Sequence, residues 1–343
     1  MGLLEWLISA RDPFIYFAMC LSIPPMALYI AQIVTIVRHK QFHTSFYSLF
    51  IIRAIPDLLY VLDSFYCYRL PILFGSILYP VYSMLPNWMI GLALFLTGYS
   101  FQANNLATAF ILLNRLTAIA VPVKHEKLWR KFLPLVALVI FCVPICTNWV
   151  MFKSDGILQK EHSNYADQQS FSLSEAGEAP FTNYLIYLDA TFSVIFMAFC
   201  ILINICVFVA YKSKAKKKIG NQKNFDRIEQ KLLVYALVTF FGHALIAFLM
   251  ICISISVSTH NSTMSAALIT HYPWVFDTCS VASSSWLLLW AGDSFRQQLF
   301  KDYRISRIRC KTRANNRVDT IKVSNKNNCW ADGVANAQQK NTI

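Results

Sequence analysis

Seven mostly apolar stretches constrain the fold of this chain more than any other feature. They cover residues 14–37, 46–66, 92–120, 132–152, 184–211, 232–257 and 273–292. An α-helix rises about 1.5 Å per residue, so about 20 apolar residues cross the hydrocarbon core of a bilayer. Only 14% of the 343 residues are charged, too few to cover a water-soluble protein of this size. The sequence predicts an all-α membrane protein, a bundle of seven transmembrane helices.

The distribution of basic residues predicts the orientation of this bundle. Most of the 31 Lys and Arg residues fall in the loops of one side and in the C-terminal tail. Loops rich in Lys and Arg face the cytoplasm, so the N-terminus is expected outside and the C-terminus inside. The net charge of +13 is then an orientation signal next to the bilayer. Nucleic acid is not expected as a partner, because no soluble basic domain is present.

These features predict four regions along the chain. They are an extracellular N-terminus (1–13), the seven-helix domain (14–293), an amphipathic juxtamembrane helix (294–310) and a disordered cytoplasmic tail (311–343). The apolar piece 72–86 is short and contains prolines, which favours an interfacial or re-entrant connection over an eighth span. The polar connection 153–183 fits either a lid over a pocket or a mobile loop.

Polar residues inside the spans are candidates for function. Arg53 and Asp57 are four residues apart and can neutralise each other on one helix; alternatively, one of them contacts the seventh span or an ion and takes part in switching. Five further residues could line a ligand pocket, although each also fits a hydrogen bond between helices: Gln102, Asn105, Asp189, His271 and Asp277. His243 is expected to be a packed core histidine.

The third span ends in the sequence LLNRLTAIAVPVKHEK, where Asn114 and Arg115 precede a basic cluster. Arg115 could be a topological anchor whose guanidinium reaches the membrane surface. Alternatively, it could hold the inner ends of the helices together and change partner when they separate.

Several short motifs together resemble nematode serpentine chemoreceptors, in particular serpentine receptor class gamma. The sequence NRLT at 114–117, followed by Pro122 and Trp129, is similar to the end of the third span in that family. RAIPDLLYVLD in the second span is similar to the family's arginine and aspartate pair, here Arg53 and Asp57. SSSWLLLWAGDSFR resembles the closing segment of the last span.

Two features depart from the expected patterns. Ser284-Ser285 stands where the family usually has Asn-Pro, so a proline-dependent kink is in doubt. Asn-Arg-Leu replaces the Asp-Arg-Tyr triplet of rhodopsin-like receptors.

The resemblance implies a G-protein-coupled chemosensory receptor. Such a receptor would bind a small external chemical cue and signal by conformational change to a cytoplasmic heterotrimeric G protein, in the plasma membrane of sensory neurons. For this chain, we hypothesise that Arg115 pairs with Asp226 or Glu229 at the entry to the sixth span, and that ligand binding opens this pair.

The alternative function is a multi-pass transporter of a small solute. A transporter is expected to have repeated halves and mid-membrane ionisable groups, and only Arg53 and Asp57 offer the second feature. No H-E-x-x-H, G-x-S-x-G or P-loop pattern appears, so we expect no enzyme activity, and no cofactor or metal. The Asn261-Ser262-Thr263 sequon predicts a possible glycosylation site on the outer side.

Overall fold

The fold is given by a computed structural model that describes residues 11–160, 170–217 and 223–303. Residues 1–10, most of the predicted outer N-terminus, lie outside this range. So do residues 304–310 of the predicted juxtamembrane helix and the whole predicted tail, 311–343.

Long helices form at all seven predicted spans. The first six are Arg11–Arg38, Ser45–Ser64, Asn87–Ala120, Pro122–Asn148, Pro180–Lys217 and Lys223–Ser258. The seventh is a run of three consecutive pieces, the α-helix Ser262–Phe276, the π-helix Asp277–Ala282 and the α-helix Ser283–Ala291. We call these the first to seventh spans.

Shorter elements connect the spans. A 3₁₀ turn, Lys40–Phe42, follows the first span, and another, Trp149–Lys153, follows the fourth. The short helix Leu70–Leu73 belongs to the end of the second span, and the helix Gly75–Ser83 lies between the second and third spans. The helix Asp293–Asp302 belongs to a separate unit of the chain, in which Arg296 donates a hydrogen bond to Asp293. Its predicted place on the inner membrane surface stays a prediction.

Length and apolar composition make five helices able to cross a membrane on their own: Ile15–Arg38, Ser45–Leu73, Pro122–Lys153, Pro180–Ala210 and Leu237–Ser258. The third span meets the same test together with Gly75–Ser83, from which it is bent by 116°. The seventh span carries polar residues, among them Asp277, Ser280, Ser284 and Ser285, and all four are buried. Its polar groups therefore face protein, as groups at membrane depth must.

Large apolar side chains remain exposed along the spans. Ile195, Leu202, Phe208 and Val209 of the fifth span are each more than half exposed. Such a surface is unfavourable in water and suits contact with lipid.

The second span is longer than the sequence predicts. A π-helix, Phe65–Arg69, continues it to Leu73, so that Arg69 lies within the membrane-crossing helix and is only 4% exposed. The apolar stretch in the sequence, 46–66, ends before this residue. A partner from the seventh span, described below, neutralises the charge.

A β-hairpin interrupts the otherwise helical fold. Its strands, β1 (Gly156–Lys160) and β2 (Phe171–Glu175), pair antiparallel, with Leu158 opposite Leu173. Phe171 is fully buried beside Tyr82. Residues 156–160 and 171–175 of the predicted polar loop are thus ordered against the bundle. We call this end of the bundle the hairpin end, and the opposite end, where the fourth span begins, the basic end.

The sixth and seventh spans approach closely at Gly242. A Cβ atom at this position would lie 2.8 Å from the carbonyl oxygen of Cys279, inside the π-helix of the seventh span. Small residues permit such close approach between membrane helices.

Replacing this glycine should therefore destabilise the bundle. We expect Gly242→Ala to lower the free energy of unfolding by about 1–3 kcal/mol, the usual cost of overpacking. Thermal unfolding of the purified protein in detergent measures this loss. Leu245→Val, on an exposed face of the same span, is the control and should melt like the wild type. Equal melting of Gly242→Ala and wild type would contradict the close approach.

Candidate functional site

A cavity of about 350 Å³ lies at the hairpin end of the bundle. Six of the seven spans and the hairpin contribute described residues to its wall. From the region of the fourth span, the wall includes Met151, which lies in the 3₁₀ turn after that span. Most of the wall is apolar or aromatic, including Phe101, Leu185, Tyr272 and Trp274. Both the volume and the lining are typical of sites for small organic molecules.

Asp189 is the acidic side chain that the spans place on this wall. Gln102 Nε2 donates a hydrogen bond to Asp189 Oδ1 at 2.6 Å. Gln102 is itself oriented by Thr147, whose hydroxyl donates to Gln102 Oε1 at 2.5 Å. The carboxylate is therefore held in place from behind the cavity wall, and it is only 4% exposed.

An ion pair joins the second and seventh spans at the edge of the same cavity. Arg69 Nη2 donates a short hydrogen bond to Asp277 Oδ2, and Arg69 Nη1 donates to Ser22 Oγ at 2.7 Å. The guanidinium also lies 4.6 Å from the centre of the Phe65 ring. Arg69 thus ties three spans together at the hairpin end.

The predicted pocket residues fall in different places. Asp189 lines the cavity, and Gln102 lies behind it. His271 accepts a hydrogen bond from Trp274 Nε1 at 3.1 Å, and the Trp274 side chain is the one on the wall. Asp277 is engaged by Arg69, and Asn105 contacts His243 deeper in the bundle. Binding of a ligand by any of them stays a prediction.

Sequence reasoning missed the hairpin residues on the wall and the role of Arg69. Ser172, Leu173 and Ser174 line the cavity because the hairpin folds over the bundle. A lid was one of the two interpretations of this connection. The alternation of apolar and polar residues in Phe171-Ser172-Leu173-Ser174 was the available strand signal.

A second buried cluster lies deeper in the membrane, around Arg53 and Asp57. Both residues are 0% exposed, and Arg53 Nε lies 3.5 Å from Asp57 Oδ2. Asp57 accepts hydrogen bonds from Tyr29 at 2.9 Å and from Ser280 at 2.7 Å. Arg53 donates to Asn104 at 3.0 Å and to Ser280 at 3.1 Å. The pair is mutual, as one interpretation expected, and it also contacts the seventh span, as the other did.

His243 connects this cluster to the sixth span. Its Nε2 atom lies 3.3 Å from Arg53 Nη2 and 3.0 Å from the hydroxyl of Thr108. Since arginine only donates, Nε2 must accept, which places the imidazole proton on Nδ1. Nδ1 then donates to Asn105 Oδ1 at 3.0 Å. His243 is therefore a fully hydrogen-bonded member of the core.

The π-helix of the seventh span carries the contacts to both ion pairs. Asp277, its first residue, holds Arg69, and Ser280, three residues later, contacts Arg53 and Asp57. The hydroxyl of Ser283 donates a short hydrogen bond to the backbone carbonyl of Cys279, which lies within the π-helix. π-Helices are rare and occur often at functional sites. This π-helix ends at Ala282, just before Ser284-Ser285, where the resemblance implies Asn-Pro.

A hydrogen-bond network fastens the basic end. Glu126 Oε1 accepts from the backbone nitrogen of Ser45 at 3.0 Å, and Oε2 accepts from its hydroxyl at 2.9 Å. Asn114 Nδ2 donates to the same Ser45 hydroxyl at 3.1 Å. Trp129 Nε1 donates to Thr117 at 2.7 Å. These contacts attach the start of the fourth span to the second and third spans.

Arg115 lies on the Phe46 ring, 3.7 Å from its centre, beside this network. Its Nε and Nη2 atoms are buried and have no hydrogen-bond partner among the described residues. The guanidinium therefore packs on an aromatic ring, and both interpretations of Arg115 stay predictions. The side chains of Asp226 and Glu229 lie outside the described part of the structure, so their pairing with Arg115 stays a prediction.

Asn261 occupies the turn before the seventh span. Its Oδ1 atom accepts a hydrogen bond from the backbone nitrogen of Met264 at 3.1 Å, which caps the helix that starts at Ser262. The side chain is exposed, and its glycosylation stays a prediction. Within the described residues, no group of three or more His, Cys, Asp or Glu side chains is placed to hold a metal ion.

Comparison with known sequences gives two matches. A family model described as Srg family chemoreceptor matches residues 15–299, which is most of the chain. Serpentine receptor class gamma-14 from Caenorhabditis elegans is 24% identical over 160 residues, 46% of this chain and 49% of that protein. The chain thus spans about half the length of the curated relative that it matches.

The central cluster predicts a large effect from removing one charge. Asp57→Asn leaves Arg53 without its counter-ion, so the free energy of unfolding should fall by roughly 3–5 kcal/mol, as for other broken buried pairs. The double variant Arg53→Gln/Asp57→Asn should lose less than the single one. Thermal unfolding in detergent measures both.

The matched control is Asp293→Asn. It removes the partner of Arg296 from a pair in which both side chains are at least 38% exposed. Exposed pairs contribute less than about 1 kcal/mol, so its melting should hardly change. An Asp57→Asn variant as stable as this control would show that the buried pair does not hold the bundle.

Proposed function

This chain belongs to the Srg family of chemoreceptors, a family of seven-transmembrane receptors, and from that premise we propose that it binds a small external cue and activates a cytoplasmic heterotrimeric G protein. It is a multi-pass membrane protein, and family membership implies a receptor rather than an enzyme. The observation that carries the proposal is the cavity at the hairpin end, which is shaped and lined for a small molecule.

The proposed orientation puts the hairpin end outside. The opposite end carries Lys124, Lys127, Arg130 and Lys131, and positive charge favours the cytoplasmic face. A ligand from outside then reaches the cavity without crossing the membrane. We place the receptor in the plasma membrane of sensory neurons, by analogy with the chemoreceptor family.

The seventh span offers a physical link from the cavity to the core of the bundle. Arg69 lines the cavity and holds Asp277, the first residue of the π-helix, so a ligand that packs against Arg69 can act on this helix. A change in that helix moves Ser280, which contacts both Arg53 and Asp57. A ligand shifts such an equilibrium only by its difference in affinity for the two states.

At the basic end, Arg115 is the proposed switch. In this structure its guanidinium makes a cation–π contact with the Phe46 ring. Movement of the sixth span would expose a groove beside Arg115 and Asn114 to a G protein. Beside this groove, Glu126 holds the start of the second span through Ser45.

Guanine-nucleotide exchange tests this proposal. Membranes with known amounts of the receptor are mixed with heterotrimeric G proteins, with and without nematode-conditioned extract. We expect extract-dependent exchange that Arg115→Ala reduces at least tenfold, because the inner contact is lost. Lys301→Ala, a charge removal beyond the seventh span, is the control and should retain exchange. Solute uptake without exchange would contradict the proposal and favour a transporter.

Basal activity tests the predicted pairing of Arg115. If Asp226 or Glu229 holds Arg115 in the resting state, Asp226→Ala or Glu229→Ala should raise exchange in the absence of extract. An ion pair that water can reach is worth about 0.5–1 kcal/mol, so the rise should be about two- to fivefold. Wild-type basal activity in both variants would contradict the pairing.

A further inference from the structure

We propose that the cavity at the hairpin end binds a small, mostly apolar molecule with a protonated amine, and that Asp189 receives this amine. The inference rests on the proposed receptor function and adds the chemical class of the ligand. It follows from the charged groups on the cavity wall, taken one at a time.

Among the described residues, Arg69 is the cationic side chain on this wall, and its charge is already balanced. Asp277 and Ser22 occupy its two terminal nitrogens. A ligand carboxylate would have to displace Asp277 and leave that carboxylate buried without a counter-ion, which is costly. The cavity is therefore unsuited to an anionic ligand.

Glu175 is one of the two acidic side chains on the wall, and it is also occupied. Its Oε1 atom accepts from the backbone nitrogen of Phe181 at 3.2 Å, and Oε2 accepts from that of Thr182 at 2.7 Å. These N–H groups belong to the first turn of the fifth span, where a helix offers them no partner of its own. Its charge is balanced by the positive end of the helix dipole.

Asp189 differs from both. In the described part of the chain its one hydrogen-bond donor is Gln102, a neutral amide that contacts Oδ1. Oδ2 has no donor there, although the residue is 4% exposed and lines the cavity. A buried carboxylate without a counter-ion is unfavourable, and a ligand cation would supply one.

The rest of the wall suits the apolar part of such a ligand. The rings of Phe101 and Tyr272 have centroids 6.5 Å apart, and Trp274 and Leu185 complete an apolar surface. Aromatic faces also attract an ammonium group within about 6 Å. An amine with an alkyl or aromatic body therefore fits both parts of the site.

Direct binding to the purified receptor in lipid nanodiscs tests this inference. The probes share one skeleton and differ in one group: 2-phenylethylamine, 2-phenylethanol and 3-phenylpropanoate, followed by primary alkylamines of increasing length. We expect amines to bind at least tenfold more tightly than the alcohol and the acid, about 1.4 kcal/mol. Equal or tighter binding of the alcohol or the acid across the series would overturn the inference, and this comparison needs no variant.

Asp189→Asn removes the charge and keeps an oxygen that can accept the Gln102 hydrogen bond. It should weaken amine binding at least tenfold and leave alcohol binding unchanged. Asp63→Asn is the matched control, because Asp63 is a buried acid of the second span that accepts from Thr97 and Cys67 and does not itself line the cavity. Amine binding that survives in Asp189→Asn, or falls equally in Asp63→Asn, would overturn the role of Asp189.

Nucleotide exchange on the same variants separates this inference from the receptor function. Extract-driven exchange could be equal in wild type and Asp189→Asn and be lost in the cavity-filling Ile186→Trp. This result would overturn the inference of an amine ligand and leave the receptor function intact. Asp189-dependent amine binding with no exchange on any G protein would support the site and contradict the receptor function.

Discussion

The structure depends on an ion pair that lies fully buried at membrane depth. Neither Arg53 nor Asp57 can be solvated by water there, so each must be neutralised and hydrogen-bonded by protein. The first, third, sixth and seventh spans supply these partners, through Tyr29, Asn104, His243 and Ser280. The requirement to satisfy one charged pair therefore determines how five helices pack.

A second buried ion pair, Arg69 with Asp277, lies nearer the hairpin end. The seventh span contacts both pairs. Because Asp277 and Ser280 are in one π-helix, the helix cannot change its geometry without disturbing Arg69 or the deeper pair. The close approach at Gly242 presses the sixth span against the same segment. The irregular geometry of this span thus begins at Asp277, four residues after Pro273.

Local sequence signals predicted the spans and the pairing of Arg53 with Asp57, because hydropathy and a four-residue spacing are properties of single helices. The pairing of Arg69 with Asp277 joins residues that are 208 positions apart, and only the packed bundle reveals it. The hairpin wall of the cavity is likewise a tertiary contact. Asp189 could be proposed as a pocket residue, whereas its lack of a counter-ion became visible only once the partners of Arg69 and Glu175 were known.

The central claim is that the buried network transmits a change from the cavity to the basic end. It is tested most directly by electron–electron distance measurements between nitroxides on unnatural amino acids at Lys127 and Val234, which lie at the basic ends of the fourth and sixth spans. We expect a stimulating extract to lengthen this distance in the wild type and to leave it unchanged in Ser280→Ala. An identical change in both proteins would contradict transmission through Ser280, and no change in a receptor that still drives nucleotide exchange would contradict movement of the sixth span.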